Sequence, residues 1–566
     1  MDKGMFSMQT MTRRKFLAYL GTGTAALAAA SAGLGPLAGT AHAGRTADHM
    51  FGYKSNKVSG FFEPIAPSSE DQLILPRGYK YDVVAAYEDV INEAGDTFGF
   101  NCDFTLYFPI NGSNTHGLLW VNHEYSSDLF VTGAPAGADG KYTAEQIRKL
   151  LYVQGGSIIE VVRDDSGVWS MNPKSPYARR ITGLTPFRLV GPAAGSTAVN
   201  GATTVQGTFA NCSGGMTLWN TVLSCEENFE STAEDAGLNP THYGWVVEVD
   251  PFDAAFEPRK HTALGRFNHE NTAMGLSKDG RVVVYMGDDK KDACIYKFIS
   301  SKQYLPELGR GNTVLLQEGT LYVADMKKGK WVAMTIEAVT KRLNDANFKI
   351  PSSIKLKREE LQAKFQSQAD ILVNTHEAAM LLGGTPTDRP EDIEICPFDN
   401  TFFVAHTNND SHGNIHGHIT RFFEKDNDLG ALEFDFEIFA AGGRQSGFSA
   451  PDNLSFDSSG NLWTVTDISS GSLNKGVFAH FGNNGLFVIP TQGPNMGEAL
   501  QFASGPVEAE MTGPWFTPDE TTLFLAVQHP GENTEDISKP TSMWPHRPGD
   551  TIPRPAVVAI TGFRFS

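Results

Sequence analysis

Cysteine is scarce in this chain. There are five in 566 residues, at Cys102, Cys212, Cys225, Cys294 and Cys396. An odd, widely spaced set is not a disulfide framework, and in an oxidising compartment at least one stays unpaired. Positive charge is short as well: 46 Lys and Arg face 65 Asp and Glu, for a formal net charge of −19. Such an acidic chain is a poor partner for nucleic acid. Helical periodicity is thin and concentrated between about Thr335 and Leu382, where apolar residues recur at helical spacing and end on Gly383-Gly384. Beyond residue 43 no apolar run is long enough to span a bilayer, so no stable membrane anchor is expected.

Residues 1–43 read as a leader rather than as part of the fold. Thr12-Arg13-Arg14-Lys15-Phe16-Leu17 has the form of a twin-arginine export signal, an Ala/Gly/Leu-rich stretch follows, and Ala41-His42-Ala43 is a small-x-small cleavage site. The expected route is the twin-arginine translocase, and the expected location is periplasmic or extracellular. That route carries folded proteins, often with a cofactor already loaded. The leader holds Lys3, Arg13, Arg14 and Lys15 against Asp2, so the remainder is more acidic still. Acidity with abundant Asn and Gly is compatible with calcium ligation, and a solvated acidic surface would look the same.

What is present is a repeated hairpin. HENTAMGLSKDGRVVVYMGDD from His269, RPEDIEICPFDNTFFVAHTNN from Arg389, APDNLSFDSSGNLWTVTD from Ala450 and MTGPWFTPDETTLFLAVQHPGE from Met511 share one pattern. Each has a polar start, a short strand, an Asp/Asn/Gly-type turn, an apolar strand and a polar end. This is the hairpin of a propeller blade. The expected fold is all-β, a β-propeller with helical insertions: one domain over 44–566, interrupted by helix around 335–385. A β-sandwich is the alternative.

The start of the first strand and the end of the second lie at the same end of a hairpin. Glu270 with Asp288, Glu391 with Asn408, and Asp452 with Asp467 are therefore expected side by side on one face of the propeller. Carboxylates gathered there would repel unless cations lay between them. Singly, each could be a strand cap or a turn residue. The strand ending in Asn122-His123-Glu124, and Asn211-Cys212-Ser213-Gly214-Gly215, plausibly add to the same face. WNTVLSCEEN from Trp219 reads as a strand that delivers a thiol and two carboxylates, Cys225, Glu226 and Glu227, to a loop. A soft thiolate beside hard carboxylates suits a mixed site, a transition metal on sulfur and a hard cation on oxygen. Cys225 reads equally well as a ligand or a core thiol, Cys102 and Cys212 as core or as a pair, and Cys294 and Cys396 as core.

The ordered set NHEY at Asn122, CEEN at Cys225, YGWVVEVDPFD at Tyr243, ALGRFNHE at Ala263, VVVYMGDD at Val282, DRPED at Asp388, PDNLSFD at Pro451 and TGPWFTPD…QHPGE at Thr512 resembles the PhoX family over about Gly60 to Glu532. These are secreted, twin-arginine-exported bacterial alkaline phosphatases. The resemblance implies a β-propeller with two ferric irons and three calcium ions around a bridging oxygen, and hydrolysis of phosphomonoesters by a metal-bound oxygen nucleophile. It implies Cys225 as the iron-bound thiolate, with Glu226, Glu270, Glu391 and Asp452 as carboxylate ligands. Asp288, Asn122 and Glu124 are carried over because they share motif loops. Arg389 resembles the arginine that holds the substrate phosphate. The chain departs from the family pattern at Cys102 and at Asn268, Asn271 and Thr272, which flank His269-Glu270. It shows no D-S-A or D-T-A nucleophile element. Two other readings compete: a calcium-dependent propeller hydrolase of lactones or phosphodiesters, needing oxygen ligands alone, and a non-catalytic calcium-stabilised binding propeller. Nothing in the sequence argues against a monomer.

Overall fold

Several strands are apolar on both faces. In Arg281–Gly287, Val282, Val284 and Met286 pack to one side, while Val283 and Tyr285 pack to the other. In Phe402–His406 the split is Phe402 and Val404 against Phe403 and Ala405. A strand buried on both faces lies in a sheet sandwiched between two others. The computed structural model, which describes residues 62–137 and 140–564, shows six sheets of four to six strands around one axis.

Each sheet is a blade, and its innermost pair of strands is a hairpin. The pairs are Cys102–Pro109 with His116–His123, Asn211–Met216 with Val222–Glu226, and Ala273–Leu276 with Arg281–Gly287. They continue with Pro390–Ile395 and Phe402–His406, Pro451–Phe456 and Asn461–Thr466, and Glu510–Phe516 and Thr522–Gln528. The first strand of each pair touches that of the next blade all the way round, the sixth returning to the first. Six apolar cores fill the six spaces between blades. The last blade takes its fourth strand, Lys80–Ala86, from the start of the described chain, paired with Ala556–Thr561. The ends of the fold are thus joined by backbone hydrogen bonds, which closes the ring of blades. The four repeats legible in the sequence are the inner hairpins of blades three to six.

The helical insertion lies between Lys330–Ala333, the outer strand of the third blade, and the start of the fourth. It comprises Ile336–Asn344, Arg358–Lys364, Gln368–Val373 and Thr375–Leu382. Thr335 and Ser367 accept hydrogen bonds from the backbone N–H groups of Ala338 and Asp370, and Gly383 ends the last helix at φ 92°. Val339, Leu343, Leu361 and Ile371 pack into the same core as Val282 and Val284. Among the described residues no helix is long and apolar enough to cross a membrane. The leader at 1–43 lies outside the described residues.

One irregularity recurs in every blade and sets up the open face. Cys102 pairs with His123, but the next pair is Thr105 with Val121, so the inner strand carries one residue too many. The same slip follows Asn211, Pro390 and Pro451, opposite Glu226, His406 and Thr466. It follows His269, which bridges Asp288, in the third blade, and Thr512 in the sixth. A β-bulge of this kind bends the strand and re-aims the side chains beside it. In four blades the residue just before the bulged strand is also left-handed: Asn101, Ala210, Arg389 and Ala450, at φ 41° to 55°. Outside glycine such a conformation costs on the order of 1–3 kcal/mol and persists where the surroundings impose it. The bulge also stitches blades together. The side chains of Asn271, Asp392 and Asn453 accept hydrogen bonds from the backbone N–H of Ile393, Leu454 and Gly513, each in the following blade.

Candidate metal centre

In five blades the residue next to the bulge faces the axis: Asp103, Cys212, Glu270, Glu391 and Asp452. In the sixth, where the equivalent position is Gly513, Glu510, the first residue of its strand, takes that place. The end of the second strand adds a partner from each blade: Glu124, Glu227, Asp289, Thr407, Asp467 and Gln528. Potential donor atoms of Asp103, Glu124 and Cys212 lie within 4.8 Å of one another, as do those of Cys212, Glu227 and Glu270, and those of Glu270, Asp289 and Glu391. Cys212 belongs to two of these groups and Glu270 to two, so the three are continuous. Gln528 Nε2 donates to Asp103 Oδ2 (2.7 Å) and Glu124 Oε2 (2.8 Å), and Thr407 Oγ1 donates to Glu391 Oε1 (2.7 Å).

These groups are deeply buried. Burial, followed by the charge of neighbouring carboxylates, pushes Asp103, Glu227, Glu270 and Asp452 well above the ordinary carboxylate range. Burial and then the neighbouring Asp467 do the same to Glu510. Burial, then Asp289, raises Glu391 to about 8 although Arg389 opposes the rise. The Cys212 thiol is pushed up by burial and then by Asp103 and Glu124. Asp103 Oδ1 and Glu270 Oε2 are buried with no hydrogen-bond partner. A ring of carboxylates with orphaned oxygens and one shared thiol fits multivalent cations: oxygen-only positions suit a hard ion, and sulfur suits a transition metal.

The sign of the resulting pH dependence follows from linkage. Without metal, the folded ring binds more protons than the unfolded chain, so stability falls as pH rises. For Glu391 the loss runs from its ordinary value of 4.5 to about 8. Thermal melts of chelated protein are expected to show a lower midpoint at pH 9 than at pH 6, by roughly 1 °C for each kcal/mol lost in a domain of this size. Added metal is expected to cancel most of the difference. A chelated protein equally stable at both values would show that the ring is not forced to ionise.

Arg389 stands at the mouth. Its Nε and Nη2 donate to the two oxygens of Asp289 (3.0 and 2.8 Å), Nη2 also lies 2.7 Å from Glu391 Oε1, and Nη1 lies 3.6 Å from Asp467 Oδ2. The side chain is 24% exposed. One edge of the planar fork is thus fixed by Asp289, while Nη1 on the other edge makes only the longer approach to Asp467.

The structure brings Glu124, Glu270, Glu391, Asp452 and Arg389 into this ring. Four other expected ligands lie elsewhere. Strand alternation puts Leu223 and Cys225 on the apolar face toward the third blade, where Cys225 is fully buried beside Val246 and Met286. Cys225 therefore lies apart from the ring, and the thiol that stands among the carboxylates is Cys212. Glu226 points the opposite way, into a fully buried pair with Lys260 Nζ at 2.5 Å, and accepts from the backbone N–H of Trp245 (3.1 Å). Its neighbour Glu227, one residue past the strand, reaches the ring. Asp288 Oδ1 accepts from the backbone N–H of Asn268 (3.3 Å) and Oδ2 lies 3.2 Å from His376 Nδ1, so Asp289 takes its expected place. Asn122 spends its amide on the carbonyls of Cys212 (2.7 Å) and Ser213 (2.9 Å), and accepts from Trp120 Nε1 and Ser224 Oγ. It positions Cys212 and has no capacity left for a cation. Beside Glu391 stands Thr407, rather than the expected Asn408. Asp467 and Cys212 stand at this face as the sequence pattern expects, and Glu227 comes from the expected loop; Asp103, Asp289 and Glu510 are ring residues that the pattern alone does not assign.

Comparison with known proteins places this arrangement. A family model described as alkaline phosphatase PhoX matches residues 60–531. A solved structure of Pseudomonas fluorescens PhoX in complex with vanadate, a transition state analogue, is similar at 31% identity, covering 88% of this chain and 97% of that one with a TM-score of 0.74. A Xanthomonas campestris gluconolactonase (11% identity, 82% and 96% covered, TM-score 0.29) and a Dyadobacter fermentans protein of unknown function (9%, 86% and 100%, 0.36) are more remote. No curated protein matches the chain.

Proposed function

The chain belongs to the PhoX family of alkaline phosphatases, and from that premise we propose which ions its ring holds and which residues serve its hydrolysis of phosphomonoesters. Cys212 would hold ferric iron, together with Asp103 and Glu124 in one group and with Glu227 and Glu270 in the other. Glu270, Asp289 and Glu391, which offer oxygen alone, would hold calcium, with Asp452, Asp467 and Glu510 as further oxygen donors. The observation that carries this reading is the single thiol shared between two carboxylate groups. Bound there, the cations supply positive charge and Lewis acidity opposite the phosphoryl oxygens.

The chain's own residues do the rest. Arg389 binds the phosphate with the edge of its guanidinium that Asp289 and Glu391 leave free, and Asp289 fixes the plane of the fork. A transferring phosphoryl group spreads charge over its equatorial oxygens, and a pre-oriented guanidinium meets that charge without reorganising. Pseudomonas fluorescens PhoX forms a complex with vanadate, a transition state analogue, which supports a phosphoryl-transfer reading. Asn122 holds the backbone of Cys212, and Gln528 holds Asp103 and Glu124 at their mutual distance.

The same reading covers the rest of the chain. Residues 44–566 form a single mature domain with the helical insertion, exported by the twin-arginine translocase to the periplasm or beyond, without a membrane anchor or nucleic-acid partner, and monomeric. Removing calcium with a chelator is expected to abolish hydrolysis of a chromogenic phosphomonoester at alkaline pH, and added calcium to restore it. Activity that persists after complete calcium removal would overturn the calcium assignment.

A further inference from the structure

The loop joining the second and third strands of the third blade reads Asp288-Asp289-Lys290-Lys291-Asp292, five consecutive charges. Each is paired: Asp288 with His376 (3.2 Å), Asp289 with Arg389 (2.8 Å), Lys290 with Glu230 (2.7 Å), Lys291 with Asp410 (2.5 Å) and Asp292 with His412 (3.0 Å). One short loop therefore organises the phosphate-binding arginine and the cations immediately outside it. His376 belongs to Thr375–Leu382, so the helical insertion reaches the rim of the mouth through this side chain. Glu230 lies in the first turn of Phe229–Asp235, three residues after Glu227, so Lys290 spans from the third blade to the segment that follows the second strand of the second.

Resting on the reading of Arg389 as the phosphate-binding residue, we propose that Lys290 and His376 form a specificity-determining subsite for a second anionic group on the substrate's alcohol portion. The preferred substrates are then phosphomonoesters of hydroxy acids or bisphosphorylated alcohols, rather than esters of neutral alcohols. The geometry supports this in three ways. Both side chains are open, His376 43% and Lys290 46% exposed. Asp288 occupies Nδ1 of His376, and Nε2 has no hydrogen bond among the described residues. The Lys290–Glu230 pair is a solvent-exposed pair of the kind that contributes little, so an incoming anion can exchange for Glu230. The hydrogen bond that His376 Nδ1 donates to Asp288 also raises the imidazole pKa, which favours the cationic form. In a chain of net charge −19, two exposed cations at the rim, each held by a single carboxylate, are the groups that an anionic leaving group could engage by exchange.

The test compares 3-phosphoglycerate with glycerol 1-phosphate, which differ by a carboxylate, by phosphate release from the metal-loaded enzyme at pH 7 and low ionic strength. The variants are K290M, H376Q and the double variant; Gln at 376 keeps a donor for Asp288 and removes the charge. The ratio of kcat/KM for 3-phosphoglycerate over glycerol 1-phosphate is expected to fall about three- to tenfold in each single variant and further in the double. High salt is expected to lower the parent ratio toward that of the double variant. A ratio that stays within about twofold of the parent, or an equal loss on both substrates, would overturn the subsite, the second result making the pair a structural brace. A parent that cleaves both esters without preference also overturns it, while leaving the metal centre and Arg389 untouched. A parent that cleaves neither overturns the reading of Arg389 and the subsite together.

Discussion

Arg389→Ala is expected to lower kcat/KM for phosphomonoester hydrolysis by about 10²- to 10³-fold, the usual loss when one pre-organised donor to a developing charge is removed, with metal content unchanged or higher. The sign of the metal effect follows from the contacts. Arg389 neutralises Asp289 and Glu391 and approaches Asp467; without it those carboxylates have only the bound cations to balance them. The backbone does not confound the experiment. Arg389 sits at φ 55°, and the residues before the bulged strands of blades two and five, Ala210 and Ala450, adopt the same conformation as alanines. Arg389→Lys is expected to retain part of the activity, because a point charge replaces the fork but cannot bridge two oxygens in a plane. The measurement is steady-state hydrolysis alongside elemental analysis of the same preparation. Full turnover in the Ala variant would remove Arg389 from the site and return the ring to a structural role.

The sequence carried the architecture further than it carried the ligands. Four hairpins were legible because Lys278-Asp279-Gly280, Phe398-Asp399-Asn400, Ser458-Ser459-Gly460-Asn461 and Pro518-Asp519-Glu520 mark tight turns between apolar strands. The hairpin of the first blade is joined by a longer connection through a 3-10 turn at Ile110–Gly112, and that of the second by Thr217 to Thr221, so neither showed the same punctuation. The principle that paired strand ends meet on one face survives intact, and it leads to Glu270, Glu391, Asp452 and Asp467. What it could not supply is the bulge. One extra residue in the inner strand changes which of two neighbours faces the axis. Asp288 and Asp289 are both carboxylates, as are Glu226 and Glu227, so composition gives no sign of which one turns inward. Lys260 resolves one pair, since its buried ammonium claims Glu226, but Lys260 lies 34 residues downstream of Glu226, where no local pattern links them. The repeat itself held the missing signal: aligning each blade on the residue that opens its bulge brings Asp103 and Cys212 into register with Glu391 and Asp452.

That register is tested most sharply by comparing two thiols. Cys212→Ser is expected to deplete iron at least about tenfold relative to the parent, because a hard hydroxyl replaces the soft donor shared by two groups, while calcium at the oxygen-only positions falls less. Activity and any iron-dependent absorption are expected to fall with the iron. Cys225→Ser is expected to keep its iron and instead lose stability, by roughly 1–3 kcal/mol, as a hydroxyl is buried among Leu223, Val246 and Met286 without a partner. Both thiols are buried and both are raised by burial, so exposure and basicity do not distinguish them. Position on the strand does. Cys212 stands beside the bulge, with its backbone carbonyl held by Asn122, whereas Cys225 is the fourth residue of a regular strand and follows the alternation of Leu223 into the space between blades. The reverse result, iron lost with Cys225 and kept with Cys212, would mean that the second blade is shifted in register and that its contribution to the ring must be reassigned.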